Sequence, residues 1–169
     1  MKYLLVLVTF LFFTACSSKN PPLNTVEKVD LNKYLGKWYE IARYEHSFEE
    51  NCKNVSATYS LTKDDKIKVI NRCTDITTNE KSKATGIAYS TNKANSKLKV
   101  SFFRPFYGDY WILMLADDYS YAVVGSPSRE YLWILSRDKN IDPKIKNMIL
   151  GKLPKLGFPT KKLIWTIQE

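Results

Sequence analysis

The chain has 169 residues, of which 44% are hydrophobic and 25% charged, a length and composition suited to one globular domain with a single core and not to two domains. Its formal net charge of +9 comes from 26 basic and 17 acidic residues, but the basic residues are scattered singly, which argues against a nucleic-acid partner. A weak attraction to anionic membrane surfaces or anionic lipids fits this charge better.

The first stretch, residues 1–15, has the pattern of a signal peptide. Lys2 precedes an apolar run over residues 3–13 that contains a single threonine and is too short to span a bilayer. The run ends in Phe-Thr-Ala-Cys, which resembles the lipobox of bacterial lipoproteins and implies lipid attachment at Cys16. A serine follows that cysteine, and by the same resemblance this implies an anchor on the periplasmic side of the outer membrane. The alternative is ordinary secretory cleavage with an incidental cysteine.

The residues after the cysteine are polar and contain two adjacent prolines, a composition typical of a tether. We therefore divide the chain into a lipoprotein signal peptide (1–15), a lipidated tether (16–29) and one folded domain (30–169). Two or three acyl chains on the cysteine would hold this domain stably on a membrane.

Two further cysteines, Cys52 and Cys73, would meet the oxidising periplasm after export. An even number of cysteines outside the cytosol favours a disulfide, and no metal-binding residue lies at ligand spacing from either. The alternative is a pair of free, buried thiols.

The folded domain begins with a short helical turn over Asp30–Leu35 and continues as a series of alternating, β-branched and aromatic segments separated by turns. The predicted strands are Trp38–Tyr44, Val55–Leu61, Ile67–Cys73, Ala84–Ser90, Leu98–Phe103, Tyr110–Ala116, Tyr121–Ser126 and Tyr131–Arg137. Their short connections require antiparallel neighbours. Eight such strands predict a closed up-and-down barrel with room for one small ligand.

Helical periodicity follows the strands. Asp142 is a suitable N-cap, Pro143 suits the first helical position, and apolar residues then recur at helical spacing as far as Leu153. Pro154 should end this helix. A last strand is predicted over Lys162–Ile167, so the fold class is all-β with one C-terminal α-helix and a final short strand.

Three short motifs stand out at corresponding ends of the predicted strands. They are Gly36-Lys37-Trp38 before the first strand, Asp117-Asp118-Tyr119 between the sixth and seventh, and Arg137 after the eighth. In order and spacing they resemble the signature regions of the lipocalins, and more narrowly those of bacterial outer-membrane lipocalins and apolipoprotein D. The resemblance implies a barrel floor built from Gly36, Trp38, Asp118, Tyr119 and Arg137, with the arginine stacked on the tryptophan.

The resemblance also assigns one face of each strand to the barrel interior. The residues predicted to bind a ligand there are Ala57, Tyr59, Val69, Val100, Phe102, Tyr110, Ile112, Met114, Val124 and Trp133. This apolar lining suits an acyl chain, and the resemblance implies fatty acids and lysophospholipids as ligands. Arg72, Arg104 and Arg129 are predicted near the mouth, where they are placed to meet an anionic headgroup or are simply solvated.

Other functions have less support in the sequence. His46 is the only histidine and has no evident serine or cysteine partner, so the protein is predicted not to be an enzyme, and His46 to be an ordinary loop residue. No cofactor is predicted, although haem carriage would follow if His46 turned into the barrel. A structural or protein-binding lipoprotein with a filled barrel is the remaining alternative. A homodimer is possible by resemblance.

Overall fold

The fold is taken from a computed structural model that describes residues 20–169, so the predicted signal peptide and Cys16 lie outside the described residues. The strands are β1 (Gly36–Tyr44), β2 (Cys52–Leu61), β3 (Ile67–Asp75), β4 (Lys81–Ser90), β5 (Lys97–Phe103), β6 (Phe106–Leu115), β7 (Tyr121–Gly125), β8 (Leu132–Ser136) and β9 (Leu163–Trp165). The helices are α1 (Leu31–Tyr34) and α2 (Pro143–Lys152), and 3-10 turns span Ser47–Glu49, Leu153–Leu156 and Thr160–Lys162. No helix within residues 20–169 combines the length and the apolar character of a membrane span.

The first eight strands close into a barrel. Each pairs antiparallel with the next, and β1 pairs both with β2, where Trp38 faces Ala57, and with β8, where Tyr39 faces Ser136. Strand β9 lies outside this circuit against the end of β1. The predicted eight-stranded antiparallel barrel with one C-terminal α-helix and a final short strand is therefore confirmed.

Register shifts in β1, β2, β5 and β6 interrupt the alternation of faces, and those in β6 and β1 affect the site. The register of β6 against β7 shifts between Ile112 and Met114, so that Ile112 packs inside the barrel while both Leu113 and Met114 pack on its outer face. The prediction that Met114 points inward is therefore wrong, because a bulge adds a residue that simple period-two alternation does not count. The shift in β1, between Glu40 and Ala42, is likewise one extra residue in the strand.

Two apolar clusters hold the fold together. The inner cluster fills one end of the barrel around Trp38, and the outer cluster lies between the barrel wall and α2. Asp142 caps α2 by accepting a hydrogen bond from the backbone N–H of Lys144 at 2.6 Å, and Ile149 is fully buried. Because the cap and the apolar spacing fall where the sequence places them, α2 forms over the predicted segment.

Residues 21–29, assigned to the tether from the sequence, contact the barrel. Leu23 and Val29 are buried, and the backbone N–H of Val29 donates to the carbonyl of Ala94 at 2.8 Å. At the other end of this segment the carbonyl of Pro21 accepts a hydrogen bond from Arg129 Nη2 at 2.6 Å. The folded unit therefore extends to residue 21.

The seam between β1 and β2 is completed by the last residues of the chain. Beyond Tyr39 the two strands diverge, and Gln168 Nε2 bridges them by donating to the carbonyls of Glu40 and Val55, both at 2.8 Å. The backbone N–H of Thr166 donates to the carbonyl of Ile41 at 3.0 Å. This tail satisfies backbone groups that strand pairing leaves open.

Candidate ligand-binding cavity

Strand direction defines the two ends of the barrel. Because neighbouring strands run in opposite directions, the start of β1, the β6–β7 turn and the end of β8 meet at one end, which we call the closed end. The start of β2, the β5–β6 turn and the β7–β8 turn meet at the other end, which we call the mouth.

Arg137 seals the closed end. Its guanidinium carbon lies 3.8 Å from the centroid of the Trp38 ring. Its nitrogens donate hydrogen bonds of 2.6–3.3 Å to the backbone carbonyls of Lys33, Tyr34, Leu35, Lys37 and Tyr119. Trp38 is fully buried and donates from Nε1 to the carbonyl of Tyr34 at 2.8 Å. The planar guanidinium thus connects three separate chain segments over one ring.

The other signature residues support this arrangement. Gly36 has φ +92°, and a Cβ there would lie 3.4 Å from Arg137 Nη1, so glycine allows both the turn and the approach of the arginine. Asp118 accepts a hydrogen bond from the backbone N–H of Ser120 at 2.9 Å, and its hydrogen bonds with Ser120 lower the pKa of Asp118. Tyr119 accepts a hydrogen bond at its hydroxyl from the N–H of Asp30 at 2.8 Å. The signature regions therefore lie together.

Between the closed end and the mouth lies a cavity of about 730 Å³, within the range of about 300–1,000 Å³ usual for small-molecule sites. Seven of the ten residues predicted to bind a ligand line it, namely Ala57, Tyr59, Val69, Val100, Phe102, Tyr110 and Trp133. Ile112 and Val124 do not line it, because they lie nearer the closed end and are fully buried in the inner cluster. Their packing is structural.

A chain of three tyrosine hydroxyls lies beside this cavity, and two of its members, Tyr59 and Tyr110, line it. The hydroxyl of Tyr110 lies 2.7 Å from that of Tyr34 and 2.9 Å from that of Tyr59. Burial raises the pKa of Tyr59 to about 12 and raises the pKa values of Tyr34 and Tyr110 well above the usual value, so all three are neutral. Three neutral hydroxyl groups share two hydrogen bonds, and the two of them that line the cavity, Tyr59 and Tyr110, make this part of its wall polar.

The mouth is bordered by exposed aromatic side chains. We call Phe48, Phe103, Phe106, Tyr107 and Tyr131 the aromatic rim, because all five are exposed and line the cavity opening. Just inside the rim, the Phe102 ring lies over Gly86, where a Cβ would come within 2.9 Å of two ring carbons. The absence of a side chain at Gly86 therefore leaves room for the Phe102 ring to line the cavity.

A buried group of four polar residues also borders the cavity, and we call Glu40, Arg43, His46 and Glu49 the polar cluster. Arg43 donates to Glu40 Oε1 at 3.1 Å and to the carbonyl of Glu49 at 2.6 Å. His46 Nε2 lies 3.1 Å from Glu49 Oε2, and Trp133 Nε1 donates to the same oxygen at 3.4 Å. The two carboxyl groups are part of the cavity wall.

The two carboxyl groups differ in protonation. Burial, followed by the negative charge of Glu49, raises the pKa of Glu40 to about 8. Burial acts in the same direction on Glu49, but hydrogen bonds with His46 and Glu40 and the charge of Arg43 outweigh it, so the pKa of Glu49 is lowered. At neutral pH a protonated Glu40 therefore faces an ionised Glu49, whose charge Arg43 balances.

The polar cluster was not predicted, although alternation from Trp38 places Glu40 on the inner face and could have indicated it. His46 lies in the β1–β2 connection, as predicted, but it is buried and stacks on Phe48 at 3.8 Å between ring centroids, which the sequence did not indicate. Arg129 is not a headgroup contact. It is buried and donates to the carbonyls of Pro21, Pro127 and Leu156.

Cys52 and Cys73 form the predicted disulfide at the mouth, with Cα atoms 5.5 Å apart. The bridge joins positions 21 residues apart. It lowers the conformational entropy of the unfolded chain and so raises the free energy of unfolding by about 3 kcal/mol.

We expect the double variant Cys52→Ser, Cys73→Ser to unfold about 6–12 °C below the wild type in a thermal scan followed by circular dichroism. Wild type under reducing conditions should match the double variant. Equal melting temperatures with and without the bridge would contradict this account.

The closed barrel, the sealed end and the ligand-sized cavity together define a lipocalin, and the chain belongs to that family: the family model for the lipocalin-like domain matches residues 29–168. The chain is similar to the outer membrane lipoprotein Blc of Citrobacter freundii, with 45% identity over 157 residues that cover 91% of this chain and 89% of the relative. It is also similar to apolipoprotein D of Macaca fascicularis, with 33% identity over 164 residues, 91% of this chain and 82% of the relative. Among solved structures, insecticyanin from the tobacco hornworm Manduca sexta superposes with a TM-score of 0.70 at 22% identity, covering 88% of this chain and 86% of that chain, a likeness of fold.

Proposed function

We propose that this lipocalin is a lipid-anchored protein of the bacterial outer membrane that binds single-chain lipids, namely fatty acids or lysophospholipids, and stores or transports them for membrane maintenance. The apolar cavity of about 730 Å³ carries this proposal. The lipobox-like Cys16 and the similarity to a relative named an outer membrane lipoprotein support the location.

The size of the hydrophobic term supports a useful affinity. Burying an acyl chain of about fourteen methylenes contributes roughly 11 kcal/mol at ~0.8 kcal/mol each. Ordering the acyl chain and restricting its motion cost several kcal/mol, which leaves a dissociation constant of about 1 μM. Such an affinity allows both uptake and release of the lipid.

Other functions fit the site less well. A barrel filled by its own side chains conflicts with the cavity. Haem carriage needs a free imidazole in the cavity, whereas His46 is engaged with Glu49 behind Trp133. A catalytic cysteine is not available within residues 20–169, because Cys52 and Cys73 are bonded to each other. We therefore propose a binding protein and not an enzyme.

A titration tests this function. Residues 20–169, which contain the whole barrel, its disulfide and both apolar clusters, are delipidated and titrated with palmitate, a palmitoyl lysophospholipid and haemin while tryptophan fluorescence is followed. We expect saturable changes with the two acyl ligands, with half-saturation at about 1 μM, and no saturable response to haemin. No response to either acyl ligand would contradict the proposal.

Two matched tryptophan variants locate the signal. Trp133→Ala should remove most of the fluorescence change and weaken acyl binding, because Trp133 lines the cavity. Trp165→Ala should leave both unchanged, because Trp165 lies on β9 outside the closed barrel. An equal loss in the two variants would place the ligand elsewhere.

A further inference from the structure

The mouth of the barrel presents an apolar surface that does not contribute to the packed core. Phe103 and Phe106 are 76% and 72% exposed, and Phe48 is 66% exposed. A soluble protein that collects large exposed aromatic side chains in one place generally uses them to bind a partner. In this protein that place is the entrance to the proposed lipid site, so a partner there controls the route of the ligand.

The chemistry of this surface matches a lipid bilayer. Phe103 and Phe106 stack at the tip of the β5–β6 hairpin, with ring centroids 6.4 Å apart and planes 8° from parallel, and Arg104 lies between them in sequence. Lys81 and Lys83 are exposed at the mouth end of the neighbouring strand β4. Aromatic rings combined with basic side chains are typical of protein surfaces that enter the headgroup region of anionic membranes.

The N-terminal segment points to the same end of the barrel. The carbonyl of Pro21 is held by Arg129, and Arg129 lies in the β7–β8 turn, whose Ser126 and Ser128 line the cavity mouth. Pro21 is only five positions after Cys16, a distance of at most about 18 Å in an extended chain. An anchor at Cys16 therefore brings the mouth close to the membrane, while the closed end is further away by about 30 Å, the length of a ten-residue strand.

We propose that the aromatic rim docks on an anionic lipid bilayer with the cavity opening directed into the headgroup region. The orientation rests on the lipid anchor of the proposed function, whereas the rim itself binds without the anchor. A docked mouth lets a single-chain lipid move between bilayer and cavity without crossing water.

Vesicle binding by the anchor-free fragment tests the rim directly. Residues 20–169 are incubated with vesicles of phosphatidylethanolamine and phosphatidylglycerol, and the bound fraction is measured by flotation. We expect the double variant Phe103→Ser, Phe106→Ser to bind about tenfold more weakly than the wild type. The control Leu61→Ser, which removes an exposed apolar side chain at the closed end, should bind as the wild type does.

A second measurement reports contact with the bilayer directly and does not require a variant that has lost binding. Phe106→Trp and Leu61→Trp are each mixed with vesicles whose acyl chains carry bromine, and we expect extra fluorescence quenching only for the tryptophan at position 106. Equal binding of the rim variant and the wild type, or no added quenching at position 106, would overturn the proposal. A rim-dependent dimer in ultracentrifugation without vesicle binding would overturn it in favour of a second copy of the chain. A fragment that binds lysophospholipid in solution but ignores vesicles would contradict the docking surface alone.

Discussion

Replacing Ala57 with phenylalanine is expected to weaken lipid binding strongly while leaving the barrel folded. Ala57 lies on β2 in the cavity wall, opposite Trp38 on β1 and Asn71 on β3. A phenyl ring there takes the space of about four methylenes of a bound chain, worth ~3 kcal/mol, so affinity should fall at least about 100-fold. Isothermal titration with a lysophospholipid measures the loss.

The neighbouring position supplies the control. Thr58 follows Ala57 on the same strand and, by alternation, points to the outer face. Thr58→Phe adds a side chain of the same size on that face and should keep wild-type affinity. Thermal unfolding checks the fold, and Ala57→Phe should melt at or above the wild-type temperature because the ring fills an apolar space. Undiminished binding by Ala57→Phe would show that the ligand does not occupy the cavity.

Arg137→Ala is expected to destabilise the closed end strongly. It removes the contact with Trp38 at 3.8 Å and the hydrogen bonds to five backbone carbonyls. Hydrogen bonds to charged groups and cation–π contacts are each worth about 1 kcal/mol or more, but contacts that share one partly exposed side chain do not add fully, so we expect a total loss of about 4 kcal/mol in the free energy of unfolding. This corresponds to a melting temperature lower by about 10 °C.

Two further variants separate the contribution of the positive charge at position 137 from that of the planar guanidinium group. Arg137→Lys keeps the positive charge but not the planar fork, so it should lose more than half of the same stability. Lys37→Ala removes an exposed cation at the same end, whose ammonium lies over the Tyr39 ring, and should change the unfolding free energy by less than about 0.5 kcal/mol. If Arg137→Lys melts with the wild type, the guanidinium hydrogen bonds do not hold the end closed.

The sequence predicts the barrel well because its evidence is local. Alternation, turns and the capped helix can each be read over fewer than a dozen residues, and the signature motifs add the order of the strands. The mouth is less well predicted. Strands β2, β4 and β6 begin at Cys52, Lys81 and Phe106, several residues before the predicted starts, because pairing with a neighbouring strand, and not side-chain alternation, extends them there.

The site shows the same division. Seven lining residues follow from period two and the family resemblance, whereas the bulges in β1 and β6 have no clear signature in the sequence. One bulge turns Met114 outward, and the other brings Arg43 alongside Glu40. Burial of His46 depends on how the β1–β2 connection folds over Trp133, which is a tertiary packing effect. Single-residue shifts of register therefore limit prediction of the site more than strand assignment does.

The tail that bridges β1 and β2 has a consequence for how the protein is made. Gln168 bonds to carbonyls that lie 113 and 128 residues earlier in the chain, and the pairing of β1 with β8 also spans most of the domain. Contacts of such long range form slowly; the pairing of β1 with β8 requires the chain as far as Ser136, and the bridge requires it as far as Gln168. Until these residues have been synthesised, one edge of β1 therefore stays unpaired, and during that interval the folding chain is most exposed to wrong strand pairing.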